Sequence, residues 1–391
     1  MRRVASVLLA GMVVLVSSSR AQNPPADSDF TVHEWGTFTT ITGSEGKAIS
    51  WRPLDATDDL PGFVEHFHNS PQTKGTLVAT VRMETPVMYF YASQKMNVSV
   101  KVDFPNGLLT EWYPHASEVM PAVASPFTTG TISWNSITLD PSLAPNFPHE
   151  AAPSPYYDAR TTSATPLCIA MGNGVETEKF LFYRGVSNFA LPIAATIAAN
   201  GEIAVRNLTA RPISELILFE RRGDKVGYRI ADALGSEARL DPPQLTASVS
   251  SLADELRAVL VGQGLYPDEA RAMVATWHDS WFEEGSRLIY VLSAPHVNSI
   301  LPLNIKPDPA NTVRVFVGRM ELITPATKQA VETALKTQDD ATLTKYERFL
   351  APIFEDITLR SDKQDAAALG ALFDSYLSRE QRRTTALVQL P

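Results

Sequence analysis

The sequence predicts an α+β protein in which an antiparallel, β-rich, sandwich-like region (residues 29–248) precedes a helical α+β C-terminal region (residues 249–391). Runs of β-branched and aromatic residues dominate the first region, and apolar residues recur at helical spacing in the second. No strand–helix alternation typical of a parallel βαβ sheet is present, so antiparallel sheets are favoured. The C-terminal region either forms a separate domain or packs its two late strands onto the first sheet.

The first 21 residues are predicted to be a signal peptide. Two arginines precede an apolar stretch over residues 4–16, and residues 19–21 (Ser-Arg-Ala) form a small-x-small cleavage site. The apolar stretch is too short to span a bilayer comfortably, so we expect a soluble periplasmic or secreted product with no stable membrane insertion after signal removal. Residues 22–28 contain Asn-Pro-Pro and are expected to form a flexible tether.

The chain is acidic, with 34 Lys and Arg residues against 43 Asp and Glu residues among 391. Loss of the three arginines in the signal peptide would change the formal net charge from −9 to −12. An acidic surface without clusters of Lys or Arg repels phosphate and gains nothing from counterion release. The composition therefore argues against nucleic acid as a partner.

Strands of the β-rich region are recognised by period-two patterns between turn sequences. The clearest pattern lies at residues 96–104, where every even-numbered position is apolar, as expected for one face on a core and one in water. The other predicted strands cover residues 30–42, 76–91, 130–139, 179–184, 201–208 and 213–220. Prolines crowd between residues 117 and 166, which predicts a long, irregular surface excursion.

After residue 249 the apolar period changes to that of helices. One helix is expected to end at Gly262, and a second begins at Pro267 and carries Trp277 and Trp281 on one face. Two strands are predicted at residues 287–293 and 312–323, and further helices begin near Pro325, Asp340 and Asp362.

The string His33-Glu34-Trp35-Gly36-Thr37-Phe38-Thr39 lies in the first predicted strand. A period of two places Glu34 on the same side as Phe38, among apolar neighbours. A buried carboxylate needs a partner, and Arg82 or Arg319 could supply it through a bidentate pair. Glu34 is therefore a candidate general acid or base, and a structural Glu–Arg pair is the alternative.

A second motif occurs twice, as Arg82-Met83-Glu84 and as Arg319-Met320-Glu321, each followed by Thr-Pro within three residues. In both copies the Arg and the Glu share one face of a predicted strand. The motif indicates either ion pairs across strands or part of a site. In the second case Glu84 is a further candidate base, and Arg82, Arg319 and Glu321 are candidate ligand-binding residues.

His66 and His68 are separated by one residue, so an extended segment would place both imidazoles on one side. With His33 as a third ligand they are candidates to hold a divalent metal such as Zn²⁺. Such a metal would lower the pKa of bound water for hydrolysis, with Glu34 or Glu84 as the base. The spacing matches no recognised zinc signature, so loop histidines are the alternative.

Glu111-Trp112 repeats the Glu-Trp pair at residues 34–35, and exposed indole rings can stack on the apolar faces of sugars. This pattern makes Trp35, Glu111 and Trp112 further candidate ligand-binding residues. The platform would also include Trp51, Trp134, Tyr156 and Tyr157. The alternative is that most of these rings belong to the core.

Several strings together resemble an uncharacterised family of exported bacterial proteins. They are residues 33–39 quoted above, Arg82-Met83-Glu84-Thr85-Pro86, Leu108-Leu109-Thr110-Glu111-Trp112-Tyr113-Pro114, Asp279-Ser280-Trp281-Phe282-Glu283-Glu284-Gly285 and Arg314-Val315-Phe316-Val317-Gly318-Arg319-Met320-Glu321. The resemblance implies one co-inherited, exported unit. It implies no reaction, substrate or catalytic residue.

These observations favour a soluble extracytoplasmic binding or envelope-associated protein, with a glycan or another envelope component as its ligand. The large β scaffold, the aromatic strings and the proline-rich excursion support this hypothesis. A metal-assisted hydrolase built on the His/Glu cluster is the second hypothesis. A purely structural scaffold is the third.

Overall fold

The computed structural model describes residues 30–54, 59–67, 77–121, 128–172, 174–231 and 233–388. The expected signal peptide and tether lie outside the described residues, as does His68. The protein has an α+β fold, with antiparallel sheets and a C-terminal helical region.

The strands are numbered in chain order. They are β1 (Thr31–Thr42), β2 (Glu65–His66), β3 (Val81–Met83), β4 (Val87–Tyr91), β5 (Met96–Phe104), β6 (Gly107–Tyr113), β7 (Glu118–Met120), β8 (Gly130–Leu139), β9 (Leu167–Met171), β10 (Gly174–Glu178), β11 (Phe180–Ser187), β12 (Ile193–Ile197), β13 (Ile203–Asn207), β14 (Leu216–Arg222), β15 (Lys225–Ala231), β16 (Glu237–Leu240), β17 (Gly285–Leu292), β18 (Leu303–Lys306) and β19 (Asn311–Leu322).

The helices lie mainly in the last third of the chain. They are α1 (Val249–Gly262), α2 (Pro267–Trp281), α3 (Ala294–Ile300), α4 (Pro325–Thr337), α5 (Asp340–Thr344), α6 (Leu350–Thr358) and α7 (Lys363–Val388), with 3-10 turns at Pro155–Arg160 and Glu347–Phe349. Ser248 and Thr324 cap α1 and α4 by accepting hydrogen bonds from backbone N–H groups of the first turn. Among the described residues, no helix combines the length and apolarity needed to cross a bilayer.

The described strands form three sheets. The large sheet has the order β15-β14-β17-β19-β1-β3-β11-β6-β2, and β4 lies between β1 and β11 beyond the end of β3. The second sheet has the order β10-β9-β8-β5-β18, with β7 paired to β8, and the third has the order β12-β13-β16. The two late strands, β17 and β19, therefore sit in the middle of the sheet that also contains β1.

The pairing of β1 with β19 is parallel and runs over the whole of both strands, from Thr31 opposite Asn311 to Thr42 opposite Leu322. Parallel partners need a long crossover connection, and here most of the chain separates the two strands. Both faces of β1 are buried along its full length. This pair is the centre of the fold.

Three apolar cores surround the large sheet. The first lies between the large and second sheets and contains Phe38 and Trp134, as in a β-sandwich. The second lies on the opposite face under α1 and α2 and contains Trp35 and Trp281. The third joins the edge residue Trp51 to helices α4, α6 and α7.

Gly318 is required where β19 passes Tyr290 of the neighbouring strand β17. The two residues are opposite each other in the register, and a Cβ atom at Gly318 would lie 2.0 Å from Cζ of the tyrosine ring. The ring therefore occupies the space that a side chain would need. Both residues are in the buried middle of the sheet, where the ring has little room to move.

We predict that Gly318→Ala lowers the free energy of unfolding by about 1–3 kcal/mol, because the added methyl group overlaps a buried ring. Chemical denaturation of the variant and the parent protein measures the difference. Gly235→Ala is the matched control, since no heavy atom of the described residues lies within 4 Å of its added Cβ. Equal losses in both variants would contradict this account.

Candidate functional site

The two copies of the Arg-x-Glu motif meet on either side of β1. Thr39 is the register partner of Arg82 in β3 and also of Arg319 in β19. Two segments more than 200 residues apart in the sequence therefore place their guanidinium groups in one row on the same face of the large sheet. This row is the base of the candidate site.

Glu84 lies where the predicted strand over residues 76–91 is interrupted. That strand forms as β3 and β4, and Pro86, which has no backbone N–H, stands between them. The Glu84 N–H still donates to the carbonyl of Thr37 (2.9 Å). The interruption holds the Glu84 carboxylate at the end of β3 beside Arg348, whose Nη2 lies 2.9 Å from Oε1.

Behind this carboxylate, arginines and carboxylates form a buried network. Arg319 contacts the carboxylates of Glu283 and Glu321, and Arg287 donates from Nε to Glu321 (3.1 Å). The Arg319 guanidinium also lies over the ring of Phe349, 4.7 Å from its centroid. Arg319, Glu321 and Arg287 are almost completely buried, so their charges depend on one another for compensation.

Burial alone would raise the pKa of Glu84, but the charges of Arg348, Arg82 and Arg319 outweigh it and lower the pKa to about 2. For Arg82 burial is the dominant effect. It disfavours the charged guanidinium and lowers the pKa of Arg82 to about 10. Glu84 is therefore ionised at neutral pH and does not have the raised pKa of a general acid.

A cleft of about 710 Å³ opens over this network. Its walls come from the 3-10 turn Pro155–Arg160 with the residues before it, from the second half of α2, and from the end of β3. Tyr157 and Trp277 contribute aromatic rings to the lining. The charged lining residues are Asp59, Arg82, Glu84, Asp158, Asp279, Glu283 and Arg348.

Three of the residues that line this cleft each have one buried polar atom without a hydrogen-bond partner within the described residues. The atoms are Nε of Arg82, Oγ1 of Thr276 and Nε1 of Trp277, and each residue is less than a tenth exposed. These atoms have almost no accessible surface, so they lie beneath the wall of the cleft and are not open to a ligand in it. The polar character of the cleft therefore comes from its charged lining residues.

The prediction that Glu34 pairs with Arg82 or Arg319 is wrong. Glu34 is fully buried and paired with an arginine, but its partners are Arg314, which donates from Nε to Oε2 (2.5 Å), and the hydroxyl of Tyr183. Arg314 lies directly opposite Glu34 in the parallel β1–β19 register. Arg82 and Arg319 are the register partners of Thr39, which follows Glu34 by five residues. Because side chains alternate along a strand, this odd spacing places both arginines on the opposite face of the sheet from Glu34. Glu34 is not among the residues that line the cleft.

The predicted metal site does not form among the residues described. His33 is buried and contacts Glu269, with Nδ1 2.8 Å from Oε2. His66 lies in the edge strand β2, 3.8 Å from Glu111 and separated from β1 by three strands of the sheet. No group of three His, Cys, Asp or Glu side chains within the described ranges could hold a metal ion, and His68 lies outside those ranges.

The prediction of an exposed aromatic platform is wrong for its tryptophans. Trp35, Trp51, Trp112 and Trp134 are each at most 7% exposed, because their rings fill the three cores. Glu111 is buried near His66, away from the cleft. Of the predicted site residues, Arg82 and Glu84 line the cleft, while Arg319 and Glu321 lie behind it.

Several lining residues escaped the sequence analysis. Asp279 and Glu283 were not predicted as site residues, but they line the cleft because the 3-10 turn packs beside α2. The proline-rich excursion was the available signal for Tyr157 and Asp158. No local pattern marks Arg348.

Comparisons with known proteins leave the chain without an assigned family. No family model and no curated protein sequence matches it. A solved structure of the yeast delta-COP-I mu-homology domain complexed with a Dsl1 WxWxV peptide is similar over 76% of this chain and 98% of that chain, at 6% sequence identity and a TM-score of 0.28. A similarity at this level supports no inference about function.

We predict that Glu34→Gln lowers the free energy of unfolding by about 3–5 kcal/mol, because it leaves the buried Arg314 guanidinium without its counter-charge. Urea denaturation measures the loss. Glu34→Gln combined with Arg314→Met should cost less than the sum of the two single changes, since the double variant buries no uncompensated charge. Strict additivity would show that the pair does not act as a unit.

The lowered pKa of Glu84 predicts a pH-dependent contribution to stability. The ordinary value of 4.5 in the unfolded chain against about 2 in the folded protein implies stabilisation on the order of 3 kcal/mol. This stabilisation is fully present above about pH 5 and is lost as the pH falls towards 2. The stability difference between the parent protein and Glu84→Gln should therefore shrink over that range.

Urea denaturation at pH 7, 5, 3 and 2 tests this prediction. Glu355→Gln is the control, because Glu355 is an exposed carboxylate on α6 and its loss should have little effect at any of these pH values. A difference between the parent protein and Glu84→Gln that stays constant from pH 7 to pH 2 would contradict the prediction.

Proposed function

We propose that this protein is a soluble extracytoplasmic binding protein that takes a saccharide of glycan or envelope origin in the cleft. The observation that carries the proposal is the lining of the cleft, in which guanidinium groups and carboxylates stand beside the half-buried ring of Tyr157. The cavity has a size typical of small-ligand sites.

A saccharide fits the chemistry of this lining better than an apolar ligand. Hydroxyl groups both donate and accept, and the cleft offers guanidinium donors at Arg82 and Arg348 beside carboxylate acceptors at Glu84 and Asp158. The half-buried ring of Tyr157 supplies apolar surface for one face of a pyranose. The export features of residues 1–21 and the resemblance to exported proteins support an extracytoplasmic ligand.

Binding is favoured over hydrolysis for two reasons. The metal-assisted mechanism needs ligands that the described residues do not bring together. The carboxylates at the cleft floor are paired with arginines, and Arg348, Arg82 and Arg319 lower the pKa of Glu84. The second reason concerns Glu84 alone, because a general acid for glycoside cleavage needs a raised pKa and Glu84 does not have one.

The test is retention of the protein on a panel of envelope glycans and soluble oligosaccharides, followed by titration of those that bind. Tyr157→Ala removes the accessible ring of the lining, so it should weaken binding by about 2- to 10-fold. Tyr228→Ala is the matched control, since its ring is also half-buried but does not line the cleft. Absence of binding across the panel, or equal effects of the two variants, would reject the proposal.

A further inference from the structure

One arginine joins the wall of the cleft that carries Tyr157 to the second sheet. Arg160 is the last residue of the 3-10 turn Pro155–Arg160 and is not among the residues that line the cleft. Its Nε donates to Oε1 of Glu178 (3.0 Å) and its Nη2 donates to Oε2 (2.6 Å), which is the bidentate geometry of a guanidinium with a carboxylate. Glu178 is completely buried at the end of β10, so the pair ties the turn to that strand.

Four aromatic rings among the described residues lie close to the same guanidinium. The distance from Cζ of Arg160 to the ring centroid is 5.1 Å for Tyr157, 5.4 Å for Tyr156 and Phe147, and 5.7 Å for Phe63. A cation within about 6 Å of a ring centroid is attracted by the ring quadrupole. The rings come from the 3-10 turn, from the excursion before it and from the segment before β2. These three segments of the chain therefore meet at Arg160.

Contacts outside the cleft lining hold the ring of Tyr157. The imidazole of His149 stacks on it, with 4.3 Å between the centroids and 18° between the planes. The Tyr157 hydroxyl accepts a hydrogen bond from the backbone N–H of Glu150 (3.0 Å). Neither His149 nor Glu150 is among the residues that line the cleft, and Arg160 is not either. The ring that lines the cleft is thus oriented by residues that do not line it.

A guanidinium suits the position of Arg160 for a chemical reason. Its planar fork pairs with both oxygens of a carboxylate while its faces stack on rings, whereas the ammonium group of a lysine is a compact charge on a flexible stem. Residues 144–154 belong to no strand or helix, so ladder hydrogen bonds do not fix this part of the wall. The wall depends on side-chain contacts for its position.

We propose that Arg160 is a positioning residue of the binding site, which orients the Tyr157 ring towards a bound saccharide without contacting the saccharide. This inference rests on the proposed function, because it names what controls the aromatic ring of that site. Glu178 holds the guanidinium in the required orientation. Because Arg160 acts through the ring, its loss cannot weaken binding by more than the loss of the ring itself.

A double-mutant cycle tests this coupling by calorimetric titration with the β-1,4-linked tetramer of N-acetylglucosamine, or with the best-bound oligosaccharide of the panel if that tetramer does not bind. Arg160→Lys keeps the charge beside Glu178 but loses the planar fork. It should weaken binding by about 2- to 10-fold, no more than Tyr157→Ala does, and should have no further effect in the Tyr157→Ala background. Arg379→Lys is the matched control, because Arg379 also donates from Nε and Nη2 to one carboxylate, that of Asp340, and does not line the cleft.

A second measurement needs no ligand. Hydrogen exchange of the Glu150 amide reports its hydrogen bond to the Tyr157 hydroxyl, and Tyr157→Phe gives the exchange rate without that acceptor. Arg160→Lys should raise the rate by about 10-fold towards that of Tyr157→Phe, as expected when one hydrogen bond is lost. Glu178→Gln, which weakens the same contact from the other side, should also raise it, and Arg379→Lys should not.

An unchanged exchange rate of the Glu150 amide in Arg160→Lys and Glu178→Gln would overturn the inference, whatever the glycan panel shows. An affinity that Tyr157→Ala lowers and Arg160→Lys leaves unchanged would also overturn it, as would full additivity of the two changes. Each of these results leaves the proposed function standing. If no glycan binds, the proposed function fails, and a raised exchange rate still supports the positioning of Tyr157 by Arg160.

Discussion

The structure depends on the buried parallel pairing of β1 with β19. Both strands are covered on both faces over most of their length, yet they carry Glu34 and Arg314 on one face and Arg319 and Glu321 on the other. A charge buried at this depth is tolerated only when its partner is in place. A slip of one residue would move every side chain of one strand to the opposite face and leave both sets uncompensated. Charge pairing and apolar packing therefore specify the same register.

The cleft forms where the buried charges of β19 approach the helices that cover the sheet. On the face that carries Arg319, the sheet is covered by α2, by the 3-10 turn at Pro155–Arg160 and by the helices of the third core. Phe349 covers the Arg319 guanidinium from one side, while Glu283, two residues after the end of α2, contacts it from the other segment. Between these elements the covering is incomplete, and the outer members of the network face a solvent-filled space. The charges that fix the sheet register therefore also give the cleft its polar floor.

The end of α2 contributes different residues to the core and to the cleft. Trp281 is completely buried in the second core, whereas Asp279 on the helix and Glu283 just after it line the cleft. The proline-rich excursion supplies the opposite wall, and Ser154 accepts a hydrogen bond that begins its 3-10 turn. The excursion contains β7 and β8, but its part after β8 has no strand and acquires a fixed position by packing on a helix more than 100 residues later in the chain. The resulting wall brings Asp158 to the same cleft that Asp279 lines from α2.

The amino-acid sequence by itself determined many of the strands and helices and the existence of the two Arg-x-Glu motifs. Period-two patterning located β5 and β8 at the predicted bounds, and Pro267 marked the start of α2, because these signals act over a few residues. The burial of Glu34 with an arginine also followed from local alternation. Which arginine it meets did not, because the parallel pairing with Arg314 joins residues 280 positions apart. Only the tertiary structure separated His33 from His66, buried the tryptophans and brought Asp158 and Asp279 to the same cleft, since each of these outcomes is set by the packing of distant segments rather than by the propensities of neighbouring residues.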